Sequence, residues 1–399
     1  MPEKPHERIA EIKRKAEAGP ILLQNSFRPF FMAAGLWATL AVPFWLLNYA
    51  DLLELPDGFD AMLWHQHEML FGFAAAAMSG FLLTALPNWT GRKRIQGWSL
   101  AAFAALWLAG RAAMLTAPMI GASLAAVLDL GFLSLMAVYV AAEVWRSRNW
   151  RNLPVAALIT LFAASNWLAH WTALGGAEPP IDGRRLAIFT LAILVAFIGG
   201  RIVPAFTRNW LVQSGAKVSI PNFGRFDAAA VGLLVLSFAA ALAAPDSALP
   251  GWLALITAAV HFVRLMRWQG WLSLAEPLVW TLHLGYLWLV AGVAALGAAW
   301  LDWGISETTA MHALTTGAFG TMIIAVMTRA SLGHSGRPLR AGPGELIIYL
   351  LVLAAGLARL VAPFWADQTQ LLIIVAAIAW AGGFGLFSVL YFRLLTRPA

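Results

Sequence analysis

Two histidines and a glutamate lie within four consecutive positions of the segment WHQHEMLFGF, residues 64–73. The imidazoles of His65 and His67 can bind a transition metal, and the carboxylate of Glu68 can bind a metal or carry a proton. The segment continues directly into a long run of Gly, Ala, Phe and Leu. Ionisable groups inside an apolar helix cost several kcal/mol unless they are paired, so this cluster indicates a functional site.

The spacing within this cluster predicts two binding directions. At about 100° per residue, His65 and Glu68 lie about 60° apart on one helical face, whereas His67 is about 200° from His65. A regular helix would therefore direct the two imidazoles to two sites, or to one site and a supporting hydrogen bond. An irregular first turn would instead gather both imidazoles on one ion.

Other histidines of the apolar segments fall at comparable depths, because each helical residue rises about 1.5 Å. His312 and His170 lie near the same end of their segments as the WHQHE cluster, and both are candidate metal ligands. His170, in NWLAHW, could also be an ordinary interfacial histidine. His283 lies nearer the opposite end and is the alternative ligand if the cluster fails to bind a metal.

Three arginines inside apolar segments are candidate contacts of an anionic cofactor. Arg111 and Arg359 lie near the same end as the WHQHE cluster, and Arg201, in FIGGRIVPAF, lies nearer the opposite end. Guanidinium groups form strong charge-assisted hydrogen bonds with carboxylates. For Arg111 and Arg359, the competing interpretation is that these long side chains reach the membrane surface with their charged ends.

The segment around His312 combines one imidazole with small residues on the opposite side, Gly317 and Gly320. This pattern suits close approach of a flat ligand such as a porphyrin. It equally suits a groove for packing against another helix. Cysteine is absent, which excludes disulfides, iron–sulfur clusters and thiolate-ligated haem.

Composition indicates which elements hold these residues. The 399-residue chain is 60% hydrophobic and only 12% charged, whereas soluble domains are about 25% charged. Apolar runs long enough to span a membrane recur along the chain. We therefore predict an all-α polytopic integral membrane protein with twelve spanning helices, at 29–50, 62–86, 98–117, 121–145, 153–174, 186–208, 227–244, 251–267, 277–299, 307–329, 345–362 and 371–395.

Charge alternates between successive loops, and it predicts the orientation of the chain. The net charge of +7 comes from basic residues in every second loop, and the intervening loops are acidic. The positive-inside rule then places both termini in the cytoplasm. Arg184 and Arg185 are the exceptions, since they fall on the acidic side. The basic balance thus reflects membrane topology, and nucleic acid is not an expected partner.

The chain divides into a cytoplasmic N-terminal tail, 1–28, and a single integral membrane domain, 29–399. An internal repeat is also suggested within that domain. Similar helix ends surround Ala85, Ala205 and Ala325, which are spaced 120 residues apart, since 205 − 85 = 120 and 325 − 205 = 120. Three four-helix units would explain this spacing. Chance similarity among helices rich in Ala and Leu would explain it as well.

Five segments in this order resemble the NnrS family: SFRPFF, WHQHEMLFGFAAAAMSGFLLTALPNWTGR, LWLAGR, GGRIVPAFTRNW and HALTTGAFGTMIIAVMTRASLGHSGRPL. The resemblance extends from residue 26 to the last helix, and its histidine-bearing motifs are specific. It implies a haem- and copper-containing protein of the bacterial inner membrane, associated with the response to nitric oxide. The implied cofactors are haem b and copper, and the implied ligand is nitric oxide.

With no cysteine, the expected haem ligands are His65, His67 or His312, and the expected propionate partners are Arg111 and Arg359. The leading function is binding of nitric oxide with reduction or detoxification, in which Glu68 would act in proton transfer. The electron donor is unknown. One alternative is a transporter of haem, metal or another solute, which twelve helices with repeats would suit. Another alternative is a non-catalytic, metal-binding sensor.

Overall fold

The computed structural model describes residues 19–55, 59–177, 179, 181–216 and 219–398. Within these ranges the regular structure is entirely helical, and twelve helices are long and apolar enough to cross a membrane. The predicted all-α polytopic membrane fold is therefore confirmed. In chain order, α1 to α12 are Phe27–Tyr49, Ala61–Thr90, Trp98–Leu115, Ala122–Ser147, Trp150–Ala173, Gly183–Gln213, Arg225–Ala243, Leu249–Arg267, Pro277–Trp300, Glu307–His334, Pro343–Phe364 and Ala366–Thr396.

Helices α2, α6 and α10 contact one another at the centre of the bundle. In α2 and α6, 78% of the most apolar window is buried, compared with 33% in α3 and α11. The chain closes on itself where α12 packs against α1. These contacts place the hydrophobic core around three central helices and leave the outer helices to face lipid.

All three central helices begin with a capping side chain at the same end of the bundle. Asp60 accepts a hydrogen bond from the backbone N–H of Leu63, and Asp182 and Ser306 make the equivalent bonds at the starts of α6 and α10. These oxygens satisfy backbone donors that the first helical turn leaves unpaired. We call this end, where the acidic loops lie, the acidic end, and the opposite one the basic end.

Two central helices each contain a π-helical segment directly after a histidine. In α2 it is Glu68–Ala74, after His67, and in α10 it is Ala313–Phe319, after His312. Such segments are rare and are frequently found at functional sites. Their matching positions favour the relationship between α2 and α10 that the sequence suggests. The proposed repeat also aligns α6 with these two, and the three aligned helices are those at the centre.

The first spanning helix begins two residues before its predicted start at residue 29. Helix α1 begins at Phe27, so Arg28 lies in its first turn, where it is buried. Arg28 Nη1 donates to the carbonyl oxygens of Leu394 and Leu395, at 2.7 and 3.1 Å. These bonds use carbonyls near the C-terminus of α12, which lack helical partners. Residues 1–18 of the predicted tail lie outside the described part of the chain.

The alternating loop charges predict the orientation of this bundle. A cytoplasm-active reporter fused to the C-terminus is expected to be active, because the loops of the basic end stay in the cytoplasm. The same reporter inserted beside Trp303, in the loop at 301–306, is expected to be inactive. The reverse pattern in intact cells would show that the acidic end faces the cytoplasm.

Candidate functional site

A cavity of about 510 Å³ opens near the acidic end, between α2, α10, α12 and parts of α1, α6 and α11. Its floor is apolar and includes Phe73, Phe319 and Trp380. Its polar and charged lining residues come from four of these helices and one cap: His65, Gln66, Asp182, Arg184, Arg185, Glu307, Thr308, His312, Thr315, Thr316 and Arg359. The cavity therefore combines an apolar interior with imidazole and guanidinium groups.

His312 presents one free ring nitrogen to this cavity. Its Nδ1–H donates to the carbonyl oxygen of Thr308, at 2.7 Å, one turn earlier in α10. A donor at Nδ1 fixes the neutral tautomer in which Nε2 carries the lone pair. Among the described residues no group hydrogen-bonds this Nε2. His312 thus has the tautomer that a metal ligand requires.

His65 lies on α2, across the cavity from α10. Its ring stacks on Trp45, with 4.4 Å between ring centroids and 27° between planes. Its Nδ1 is buried and has no hydrogen-bond partner in the described part of the chain. A buried polar atom without a partner is uncommon and is typical of a site that binds a water, an ion or a ligand. The two imidazoles therefore face one cavity from two different central helices.

Three arginines border the cavity, and two of them already have carboxylate partners. Arg184 Nη2 lies 2.8 Å from Asp182, and Arg185 Nη2 lies 3.0 Å from Glu307. Partial burial acts to raise the pKa of Asp182, but hydrogen bonds from Arg184 and from the backbone of Arg185 lower it overall. Arg359 has no ion pair among the described residues. Its positive charge is therefore available to an anionic ligand.

A second group of polar residues is buried between α2, α4 and α5. The ring nitrogens of His67 and His170 and a carboxylate oxygen of Asp129 lie within 4.8 Å of one another. His67 Nε2 is 3.2 Å from Asp129 Oδ2, and His170 Nε2 is 2.9 Å from the same oxygen. The amide of Asn166 also donates to that oxygen, at 2.8 Å. We call these four residues the histidine–aspartate cluster.

Arg111 and Glu68 complete the charge pattern around this cluster. Arg111 Nη1 donates to Glu68 Oε1 at 2.5 Å, and Nη2 donates to Asp129 Oδ1. His67 Nδ1–H donates to the same oxygen of Glu68, at 3.0 Å. All three charged groups are at most 1% exposed. One guanidinium thus pairs with both carboxylates in an environment where an unpaired charge would be costly.

Glu68 keeps one carboxylate oxygen free. Its Oε2 is buried, and no described residue forms a hydrogen bond with it. A Cβ at position 72 would lie 2.7 Å from this oxygen and 2.7 Å from Trp37 Nε1, so Gly72 is needed for the space beside it. The indole N–H of Trp37 is also buried and has no acceptor among the residues that the structure describes. Glu68 Oε2 and the indole N–H of Trp37 therefore both lie beside Gly72, next to the cluster.

The structure directs His65 and His67 to two different sites, in agreement with the helical phase of the WHQHE segment. His65 lines the cavity, and His67 belongs to the histidine–aspartate cluster. The prediction that Glu68 shares a face with His65 is wrong, because Glu68 bonds His67. Glu68 is the first residue of the π-helical segment, and Arg111 holds its carboxylate on the side of His67.

The remaining predicted site residues divide by position. His312 and Arg359 line the cavity, and His170 belongs to the cluster. Arg111 does not line the cavity, because Glu68 and Asp129 hold it.

His283 and Arg201 lie apart from both sites. His283 Nε2 bonds Thr207 Oγ1 at 2.8 Å, while Arg201 donates to the side chain of Asn152 and the carbonyl of Arg151. Neither residue lines the cavity or joins the histidine–aspartate cluster. The structure therefore gives neither of them a place near the two groups of histidines.

Sequence reasoning left four residues out of the candidate sites. Asp129 and Asn166 join the histidine–aspartate cluster, and Arg184 and Arg185 border the cavity. For Asp129, the signal was a lone carboxylate inside a spanning helix. For the two arginines, the signal was their place on the otherwise acidic side. Asn166 carried no signal, since a neutral amide inside a helix is unexceptional.

Comparison with known proteins places this geometry in a family. No curated protein matches the chain. A sequence model of the NnrS protein family matches residues 21–399, nearly the whole chain. The match covers all twelve spanning helices and both groups of histidines, and it fits a membrane protein of the nitric oxide response. The chain therefore belongs to the NnrS family.

Proposed function

We propose that this protein binds haem in the cavity and copper at the histidine–aspartate cluster, and that it binds and reduces nitric oxide. The observation that carries the proposal is that His65 and His312 line one cavity together with Arg359, which has no ion pair among the described residues. The cluster of His67, His170 and Asp129 lies on the other side of α2. One central helix would thus contribute to both metal centres.

The cavity suits haem in size and chemistry. Its volume of about 510 Å³ falls within the roughly 300–1,000 Å³ typical of ligand pockets. His312 and His65 are the residues that would hold the haem iron, because each has a ring nitrogen without a hydrogen-bond partner among the described residues. Arg359 would pair with a propionate at the acidic end, and Phe73, Phe319 and Trp380 would contact the porphyrin.

The histidine–aspartate cluster suits copper by its donor set. Imidazole nitrogen is a preferred ligand of copper, and carboxylate is a weaker partner. A bound ion would replace the protons that His67 Nε2 and His170 Nε2 donate to Asp129. Glu68 accepts the other N–H of His67, which is the usual way a carboxylate orients a metal-binding histidine. Arg111 in turn fixes both carboxylates.

The chain's own residues would position the bound ligands, exclude water and carry protons. Haem iron, when bound, provides the site at which nitric oxide binds. The apolar floor of Phe73, Phe319 and Trp380 keeps water from that part of the cavity. Coupling nitric oxide to nitrous oxide and water consumes protons as well as electrons. Glu68 is the candidate proton carrier because its buried Oε2 has no hydrogen-bond partner among the described residues. The electrons would come from an external donor.

Purified protein tests the proposal directly. We expect an absorption spectrum of histidine-ligated haem, copper in the metal analysis, and a spectral shift when nitric oxide is added without oxygen. Consumption of nitric oxide with an added reductant would support reduction. Binding without consumption would indicate a non-catalytic sensor. Protein that is folded and free of both haem and copper would contradict the proposal and favour the transporter.

A further inference from the structure

A second, smaller cavity lies deeper in the bundle, between α2, α6 and α10. Its volume is about 90 Å³, and Phe31 of α1 closes one side. Every residue that lines it is Ala, Gly, Val, Leu, Ile, Met or Phe. We call it the apolar chamber. About 10–15 Å³ suffices for one water, but a stable water also needs two to four polar partners. The chamber has room for a small molecule and nothing that would hydrogen-bond it.

The chamber adjoins the large cavity at a defined wall. Ala74 and Phe319 line both spaces. Ala74 is the last residue of the π-helical segment in α2, and Phe319 is the last residue of the segment in α10. The two irregular segments therefore end together where the chamber meets the large cavity. Only these two side chains are common to the two linings.

The lining determines which molecules the chamber can take. A charged species such as nitrite would lose its hydration without any compensating partner, at a cost of many kcal/mol. A small, uncharged molecule of low polarity loses little on leaving water or lipid. Nitric oxide has these properties, and it dissolves in the bilayer that surrounds the bundle. The chamber therefore selects by charge and by size.

We propose that the apolar chamber holds nitric oxide and delivers it past Phe319 and Ala74 to the large cavity. The proposal rests on the proposed function for the identity of the gas. The chamber gives an approach to the large cavity that avoids the polar acidic end, where Arg184, Arg185 and Glu307 lie. It also keeps a neutral molecule beside the floor of the large cavity.

The test fills the chamber without touching either group of histidines. Ala77 lines the chamber on α2, so Ala77→Leu should occupy part of its space. Ala85→Leu on the same helix is the matched control, because Ala85 lines neither cavity. Val195→Phe fills the chamber from α6 and replaces the first variant if that protein fails to fold. Elution as a single species checks the folding of each variant.

Two readouts separate this proposal from the proposed function. Xenon, a neutral apolar probe, is expected to bind wild type and Ala85→Leu, and to lose most of that binding in the filled variants. Equal xenon binding in all variants would overturn the chamber as a binding site, whatever the protein does with haem. In haem-loaded protein, photolysis should release nitric oxide, and its bimolecular rebinding from solution should be several-fold slower in the filled variants. Their haem content should be unchanged. Equal recombination rates would overturn delivery through the chamber, whereas absence of haem from wild type would overturn the proposed function instead.

Discussion

Replacing Arg111 with methionine is expected to destabilise the protein by about 3–5 kcal/mol, as removal of one partner from a buried ion pair does. Arg111 is 1% exposed, and it is the charged partner of both Glu68 and Asp129. Without the guanidinium, two buried carboxylates lie close to each other with only His67 and His170 to compensate them. Methionine conserves much of the side-chain length, so loss of packing should contribute little.

Thermal unfolding in detergent, followed by circular dichroism, measures this effect. The matched control is a triple variant, Arg111→Met with Glu68→Gln and Asp129→Asn, in which the charges disappear together. It should recover most of the lost stability, because neutral amides are far less costly to bury than carboxylates. If Arg111→Met unfolds within about 0.5 kcal/mol of wild type, as surface substitutions do, the buried ion-pair network does not hold these helices together.

The sequence predicted the helices well because burial in lipid leaves a strong, local signal. Spanning segments need about 20 apolar residues, so their number and approximate bounds follow from composition alone. The start of α1 was missed because Arg28 is a charged residue inside the first turn. Its partners are carbonyls of Leu394 and Leu395, more than 360 residues away. Only tertiary structure reveals that such an arginine is satisfied.

Helical phase predicted the divergence of His65 and His67 but not the direction of Glu68. The first two residues lie within a regular turn, Ala61–His67, where about 100° per residue applies. Glu68 begins a π-helical segment, and its carboxylate is positioned by Arg111 from α3. The sequence around residue 68 contains no sign of that segment. An angle projected from an ideal helix therefore fails where the helix changes type.

The sequence also could not predict which residues lie next to His65 and His67. Depth placed His65, His67, His170, His312 and Arg359 near one end of the bundle, and the structure agrees. The depth of a residue along its helix could not predict which of two sites the residue joins. That depends on how each helix is rotated against its neighbours. His65 stacks on Trp45 of α1 and lines the cavity with His312 of α10, whereas His67 bonds residues of α4 and α5. The rotation follows from packing of the whole bundle.

The second large effect is expected in two variants, His65→Ala and His67→Ala. Each variant should lose one cofactor and keep the other. His65→Ala should lose haem and keep copper, because His65 lines the large cavity with His312. His67→Ala should lose copper and keep haem, because His67 belongs to the histidine–aspartate cluster with His170. The two substitutions are two residues apart on one helix, so each is a matched control for the other.

Haem and copper content in these two variants, with His312→Ala and His170→Ala beside them, is the measurement that tests the two-centre proposal most directly. We expect His312→Ala to behave like His65→Ala, and His170→Ala like His67→Ala, in protein that elutes as a single species. Four variants that sort into these two pairs would support one centre on each side of α2. Loss of the same metal from both His65→Ala and His67→Ala, or of neither, would contradict it.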